Sequence, residues 1–286
     1  MQEHPTAVLL LSCPDRPGLV AAVAEFVFRH GGNILHAEQH TDTDEQIFFQ
    51  RVEFALDGFT LARDEIPEAF AELVNRFGMR FQLRFSDDVA RIAILMSRAP
   101  HCTYDLLARW RVGELRADIP IVISNHPDHA DVAAHFGVAY HHLPVAPETK
   151  TEQERTMLAL LAEHDVDLVV LARYMQILGP DFVASYPDAI VNIHHSFLPA
   201  FAGSRPYHQA HQRGVKIVGV TAHYVTAELD QGPIIDQDVV RVSHRDSVDD
   251  LVRKGRDLEK VVLARAVLAH LESRVLVYGN KTVVFG

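Results

Sequence analysis

Between positions 91 and 196 the chain repeats one pattern. Five short apolar runs, RIAILMS, IPIVISN, VAYHHLP, VDLVVLAR and AIVNIHHS, occur in order, and helical spacing at 103–111, 128–136 and 151–164 separates the first four. The runs do not alternate polar with apolar, so strands of this kind bury both faces, as in a parallel sheet covered by helices on each side. Such a sheet is wound from right-handed crossovers and forms its sites beyond the carboxyl ends of its strands. The pattern then changes. KIVGVTAHYV and PIIDQDVVRV read as two long strands around a turn, followed by a helix from Ser247 to Glu272 and a short ending, RVLVYGNKTVVFG.

Residues 1–86 read differently. TAVLLLS is a strand punctuated by PDRPG, and LVAAVAEFVFRH is a helix ended by Gly31-Gly32, with Val20, Val23, Val27 and Phe28 expected near one face. NILHAEQHTD and QIFFQRVEFAL are two strands, IPEAFAELVNRFG a second helix and MRFQLRF a last strand. The order βαββαβ is the ferredoxin-like arrangement. SDDVA, Ser86–Ala90, is the expected seam, giving an N-terminal domain over 1–86 and an α/β, mostly parallel domain over 87–286.

Composition narrows the function classes. A chain of 286 residues, 48% hydrophobic and 23% charged, has ample core material. No apolar run approaches the roughly 18–20 residues needed to cross a bilayer. The N-terminus lacks the basic region of an export signal, and Cys13 and Cys102 read as small buried residues in a reducing compartment. The cytoplasm is the expected location. The net charge of −11 divides as −6 over residues 1–86 and −5 over the remainder, with no basic run. Nucleic-acid binding needs a basic face, so it is not expected.

The chemistry gathers in AIVNIHHSFLPAF. Asn192, His194 and His195 end an apolar strand, where unpaired polar groups are costly. Glu228 and Asp230 follow in HYVTAELDQGPIIDQ, on a loop turned by Gly-Pro. Two readings stand on the residues alone: satisfied polar groups at strand ends, or an imidazole, a carboxamide and a carboxylate forming an acid/base site with an oxyanion donor. Adjacent residues on a strand point to opposite faces, so His195 is expected to pack or hydrogen-bond rather than catalyse. Eighteen histidines raise the question of a metal. With no H-E-x-x-H or paired C-x-x-C, a metal site is not expected.

CPDRPGLVAAVAEFVFRHGGNI resembles the opening of an ACT domain, a module that commonly binds amino acids at subunit interfaces. The resemblance implies a possible effector site at Asp15, Arg16, Gly18, Leu19, Gly32 and Asn33, and a homo-oligomer. A helix start offers free N–H groups suited to a carboxylate. The alternative is that these glycines serve only turn and cap.

VNIHHSFLPAFAGSRPYHQAHQRGVKIVGVTAHYVTAELDQGPIIDQDVVRV resembles the heart of the formyltransferase fold: N-x-H, then S-x-L-P, then D-x-G some 36 residues after the histidine. Glycinamide ribonucleotide and methionyl-tRNA formyltransferases share these motifs. With the ACT-like segment attached, the whole chain resembles the formyltetrahydrofolate deformylase family. That implies hydrolysis of 10-formyltetrahydrofolate to tetrahydrofolate and formate, balancing the one-carbon folate pool and feeding purine synthesis, without metal or redox cofactor. It further implies Asp230, His194 and Asn192 as catalytic residues. Folate contacts are implied at Tyr174, Met175, Gln176, Ile177 and Leu178, and on the loop at Val225, Thr226, Ala227, Glu228 and Leu229. The sequence departs from the family at Ser204-Arg205, where lysine is often the basic residue. The alternatives are formyl transfer to an amine and a non-catalytic folate or amino-acid sensor. Against transfer, RIAILMS runs into RAPHCTYDLL, which has no glycine for a phosphate cradle, although Arg98, His101 and Thr103 could hold an anion. His101, Tyr104 and Phe201 are the bulky residues expected to keep an amine out.

Overall fold

The computed structural model describes residues 5–200 and 206–286; Phe201, Ser204 and Arg205 lie outside them. By contacts the chain forms two compact units, one ending at Val89 and including Glu272–Tyr278 and Val283–Gly286, the other Ala90–Leu271 with Gly279–Thr282.

The first unit runs β1 (Thr6–Pro14), α1 (Leu19–Arg29), β2 (Asn33–Asp42), β3 (Ile47–Ala55), α2 (Ile66–Phe77) and β4 (Arg80–Phe85). Its antiparallel sheet has the order β2-β3-β1-β4. Strand periodicity sends Leu9 and Leu11 to the face covered by Val23, Phe26 and Phe70. The buried face of α1 is Leu19, Val23, Phe26 and Val27; Val20 is 40% exposed and Phe28 75% exposed. This corrects the expected face. At 100° per residue Phe28 stands opposite Leu19, whereas Phe26 falls within the inward stripe.

The second unit contains β5 (Ala90–Met96), α3 (His101–Arg111), β6 (Ala117–Ser124), α4 (Ala130–Phe136), β7 (Ala139–His142), α5 (Lys150–Glu163) and β8 (Leu168–Ala172). It continues with α6 (Pro180–Ser185), β9 (Ile190–His194), α7 (Pro206–Arg213), β10 (Ile217–Tyr224), β11 (Ile234–Arg241) and α8 (Val248–Leu271). The seven-stranded sheet has the order β11-β10-β9-β8-β5-β6-β7. Strands β5 to β9 pair in parallel, while β10 runs antiparallel to both β9 and β11. All five residues of β8 are buried, as expected of a strand covered on both faces. Helices α6 and α7 were not anticipated. They span only six and eight residues, too short for a periodic pattern, and each opens on proline, a favoured first helical residue.

The ending differs from expectation. Strands β12 (Val275–Tyr278) and β13 (Lys281–Val284) pair with each other. Leu276 and Phe285 join Val8, Leu10 and Phe49 in a cluster of the first unit, on the β1 face opposite Leu9 and Leu11. Arg51, itself buried, donates to the carbonyls of Glu272 and Ser273. Residues 272–278 and 283–286, read from sequence as part of the second domain, thus group with the first unit.

In the second unit, α8 crosses the sheet and brings Gly255 against Tyr207: a Cβ there would lie 1.9 Å from the tyrosine hydroxyl. Gly→Ala in a helix ordinarily stabilises by about 1 kcal/mol. Here Gly255→Ala is expected to destabilise by about 1–3 kcal/mol, because the buried ring has to shift. Urea unfolding monitored by circular dichroism measures the sign.

Candidate active site

The site begins where β9 ends. His194 is the last residue of that strand and is 6% exposed. Its Nδ1 lies 3.2 Å from Oδ1 of Asp230, which the β10–β11 loop carries to it. Its Nε2 is buried and has no hydrogen-bond partner. Two residues earlier, Asn192 pairs in register with His223 on β10, so their side chains share one face. Asn192 Nδ2 is 3.2 Å from His223 Nε2, and His223 Nδ1 is 2.8 Å from the Tyr224 carbonyl. A carbonyl only accepts, so Nδ1 carries the proton and Nε2 of the neutral ring accepts from Asn192. That fixes the amide orientation and leaves the second Nδ2 hydrogen to donate. The loop closes over this arrangement only because residue 232 is glycine: a Cβ there would sit 1.7 Å from the Tyr224 oxygen.

The charges follow from the contacts. The hydrogen bond from His194 holds the Asp230 carboxyl below its ordinary range, against partial burial. Burial pushes His223 down, only partly opposed by the Tyr224 carbonyl and Asp230. Burial, together with Arg173 and His194, lowers His195 to about 4. Asp230 is therefore ionised, and His223 and His195 are neutral, at neutral pH.

A cavity of about 410 Å³ opens onto these groups, within the size range of small-molecule sites. Tyr174 to Leu178 form one part of its lining, Val225 to Leu229 another, and Asn192, His194 and Asp230 a third. Every residue named from the sequence for the catalytic and folate positions meets at this cavity. They do so unequally. Met175 and Ile177 are each 58% exposed, whereas Tyr174 and Leu178 are buried in the core, and the Tyr174 hydroxyl accepts from Gln153.

The comparisons decide the family. A family model described as Formyl transferase matches residues 90–267, and one described as ACT domain matches residues 7–66. A formyltetrahydrofolate deformylase of Synechocystis sp. is 58% identical, covering 98% of each chain. The crystal structure of a formyltetrahydrofolate deformylase from Pseudomonas syringae superposes with a TM-score of 0.97 at 49% identity, over 100% of this chain and 96% of that one. The chain belongs to the formyltetrahydrofolate deformylase family. A glycinamide ribonucleotide transformylase from Symbiobacterium toebii is also similar, with a TM-score of 0.67 and 32% identity, but it covers only 72% of this chain. Likeness to the deformylases extends across both units.

Within this family member several expectations change. His195 does not turn away from the site. Regular strand geometry stops at His194, and the His195 ring lies 5.1 Å from that of His194 and lines the same cavity. Arg98, His101 and Thr103 do not form an anion cradle: Arg98 is exposed, His101 binds Glu259, and the Thr103 hydroxyl is fully buried without a partner. Neither His101 nor Tyr104 lines the cavity; Arg173 and His195 do. His101, Cys102 and Glu259 place ligand-type atoms within 4.8 Å of one another. Burial strongly disfavours the Cys102 thiolate, and Arg173 already stands beside the carboxylate, so this set is poorly suited to a cation.

Sequence reasoning missed His223 and Arg173. The available signal for His223 was a histidine inside the otherwise apolar strand KIVGVTAHYV. In the first unit the possible effector residues divide. Leu19 is core, Gly18 precedes α1 at φ +93°, and a Cβ on Gly32 would meet Val27 at 2.8 Å; Asp15, Arg16 and Asn33 are exposed.

The depressed His195 pKa has a defined sign. Between about pH 6.5 and 4 the unfolded chain takes up a proton that the folded site refuses, so stability falls as pH falls through that window. His195→Gln is expected to flatten this slope by up to roughly 3 kcal/mol. Unfolding free energies across the window, compared with the parent protein, read the change in slope independently of any constant packing loss.

Proposed function

We propose that Asn192, His194 and Asp230 hydrolyse 10-formyltetrahydrofolate to tetrahydrofolate and formate. The observation that carries this reading is the His194–Asp230 pair, with the second imidazole nitrogen unpartnered at a cavity of ligand size. Ionised Asp230 accepts the hydrogen bond from His194 Nδ1–H. As water adds to the formyl carbon, negative charge develops on the formyl oxygen. Nε2–H of His194 and the free Nδ2 hydrogen of Asn192 donate to it. Asp230 takes a proton from water and passes it to N10, the C–N bond breaks, and the formic acid released ionises to formate. No metal or redox cofactor is needed for these steps. Tyr174 to Leu178 and Val225 to Leu229 supply the slot for the pterin and aminobenzoyl rings. The reaction belongs in the cytoplasm, where it returns formate to the one-carbon pool for purine synthesis.

Asp230→Asn and His194→Ala are each expected to lower formate release by at least about 10²-fold while folate binding persists. Asn192→Ala is expected to lose about 10²–10³. Turnover assays beside fluorescence titration with tetrahydrofolate separate rate from binding, and parent-like rates for Asp230→Asn would remove the mechanism.

The ACT domain over residues 1–86 is assigned regulation and assembly. Support comes from Phe28 and Leu35, large side chains left 75% and 46% exposed, and from β2, whose residues 33–40 are mostly exposed at a sheet edge. Open edges and apolar side chains of this kind are commonly covered by a partner. The partner assigned is a second copy of the chain. A free amino acid is expected to change the rate through a coupling of about 1–3 kcal/mol. A screen of amino acids against formate release, with sedimentation of the full chain, tests both; no response and a monomer would reject the assignment.

A further inference from the structure

Beside the catalytic residues the second unit buries a carboxylate that hydrolysis does not use. Glu259 lies within α8 with its side chain 1% exposed, where an ionised carboxylate needs partners. His101 Nε2 is 2.7 Å from Oε2, the Tyr207 hydroxyl donates to Oε1 at 2.9 Å, and Arg173 Nε stands 3.5 Å from Oε2. Burial works to raise its pKa, but these contacts outweigh it and hold the carboxyl down at about 2. Glu259 is a fixed negative charge behind Arg173. Arg173, in turn, lines the catalytic cavity together with His194 and His195.

Two features of Arg173 go unexplained by packing alone. Its backbone has φ +63°, a left-handed conformation that a Cβ disfavours and that glycine adopts freely. Its Nη1 is buried without a hydrogen-bond partner, and its buried Nε makes only the long ion pair to Glu259. Arg173 thus joins a left-handed backbone to a guanidinium held by Glu259 at the cavity wall.

We infer that Arg173, anchored by Glu259, closes the His195 side of the cavity and selects water over an amine as the acceptor of the formyl group. The guanidinium occupies volume that an amine and its substituent would need. Its positive charge, next to the reacting centre, repels an amine in its ammonium form. Glycine at position 173 would relax the backbone and remove both effects together. This inference rests on the hydrolytic reading given above. The alternative step is balanced without any further reagent. The amine nitrogen bonds to the formyl carbon, the N10–C bond breaks, the attacking nitrogen loses a proton and N10 gains one, giving an N-formyl amine and tetrahydrofolate.

The test measures product partition in the full chain. Parent protein, Arg173→Gly and Glu259→Gln are each incubated with 10-formyltetrahydrofolate and either glycinamide or hydroxylamine. Formate and N-formyl product are quantified separately. The parent is expected to release formate almost exclusively. Arg173→Gly is expected to raise the ratio of N-formyl product to formate by about tenfold or more at the same amine concentration. Glu259→Gln, which loosens the anchor, is expected to give an intermediate ratio. Ratios report choice of acceptor, so a structural loss that only lowers total turnover leaves them unchanged. If the parent releases no formate even without amine, the proposed hydrolysis fails. If the parent hydrolyses and the Arg173→Gly ratio equals its own, the selector role of Arg173 is overturned. Should Arg173→Gly not fold, as judged by circular dichroism, an unchanged ratio in Glu259→Gln would equally overturn it.

Discussion

The return of β10 antiparallel onto β9 is the constraint on which the site depends. A parallel sheet alone would leave Asn192 and His194 at a strand end with their polar atoms unmatched. The reversed strand sets His223 directly opposite Asn192, and the loop that follows delivers Asp230 to His194. One pairing register therefore fixes the amide, the imidazole and the carboxylate together. A slip of one residue would send His223 to the other face and leave the amide without its acceptor.

The electrostatics of the second unit divide into two compartments. On the reacting side the ionised carboxylate of Asp230 is matched to His194, with His223 and His195 kept neutral by burial. Behind it, Glu259 is matched to His101, Tyr207 and Arg173. Each carboxylate is low-lying for the same reason: partners outweigh the cost of burial.

Much of this was legible in the sequence, for a physical reason. β5, β6 and β8 are buried on both faces, so their residues are nearly all apolar and declare themselves by composition. Asn192, His194 and Asp230 stood out because they interrupt that composition. The inward face of α1 was misread at Phe28 because apolar character alone does not report angle around a helix. His195, Arg173 and His223 owe their placement to where a strand stops, to a left-handed backbone and to a cross-strand register. None of these is a local property of the residue itself. The Glu259 cluster joins α3, the segment after β8, α7 and α8, four parts of the chain whose meeting no periodicity announces.

The covering of β1 on both faces has a consequence for how the protein is made. Val8, Leu10 and Phe49 are sheltered by Leu276 and Phe285, which leave the ribosome only after residues 90–271 of the second unit have been synthesised. At ordinary elongation rates that is a delay of roughly 10–40 s. During it, the nascent ACT sheet carries an uncovered apolar face while its helical face is already complete. Leu276 and Phe285 act as a clasp on β1, and the first unit is finished only once Phe285 has emerged.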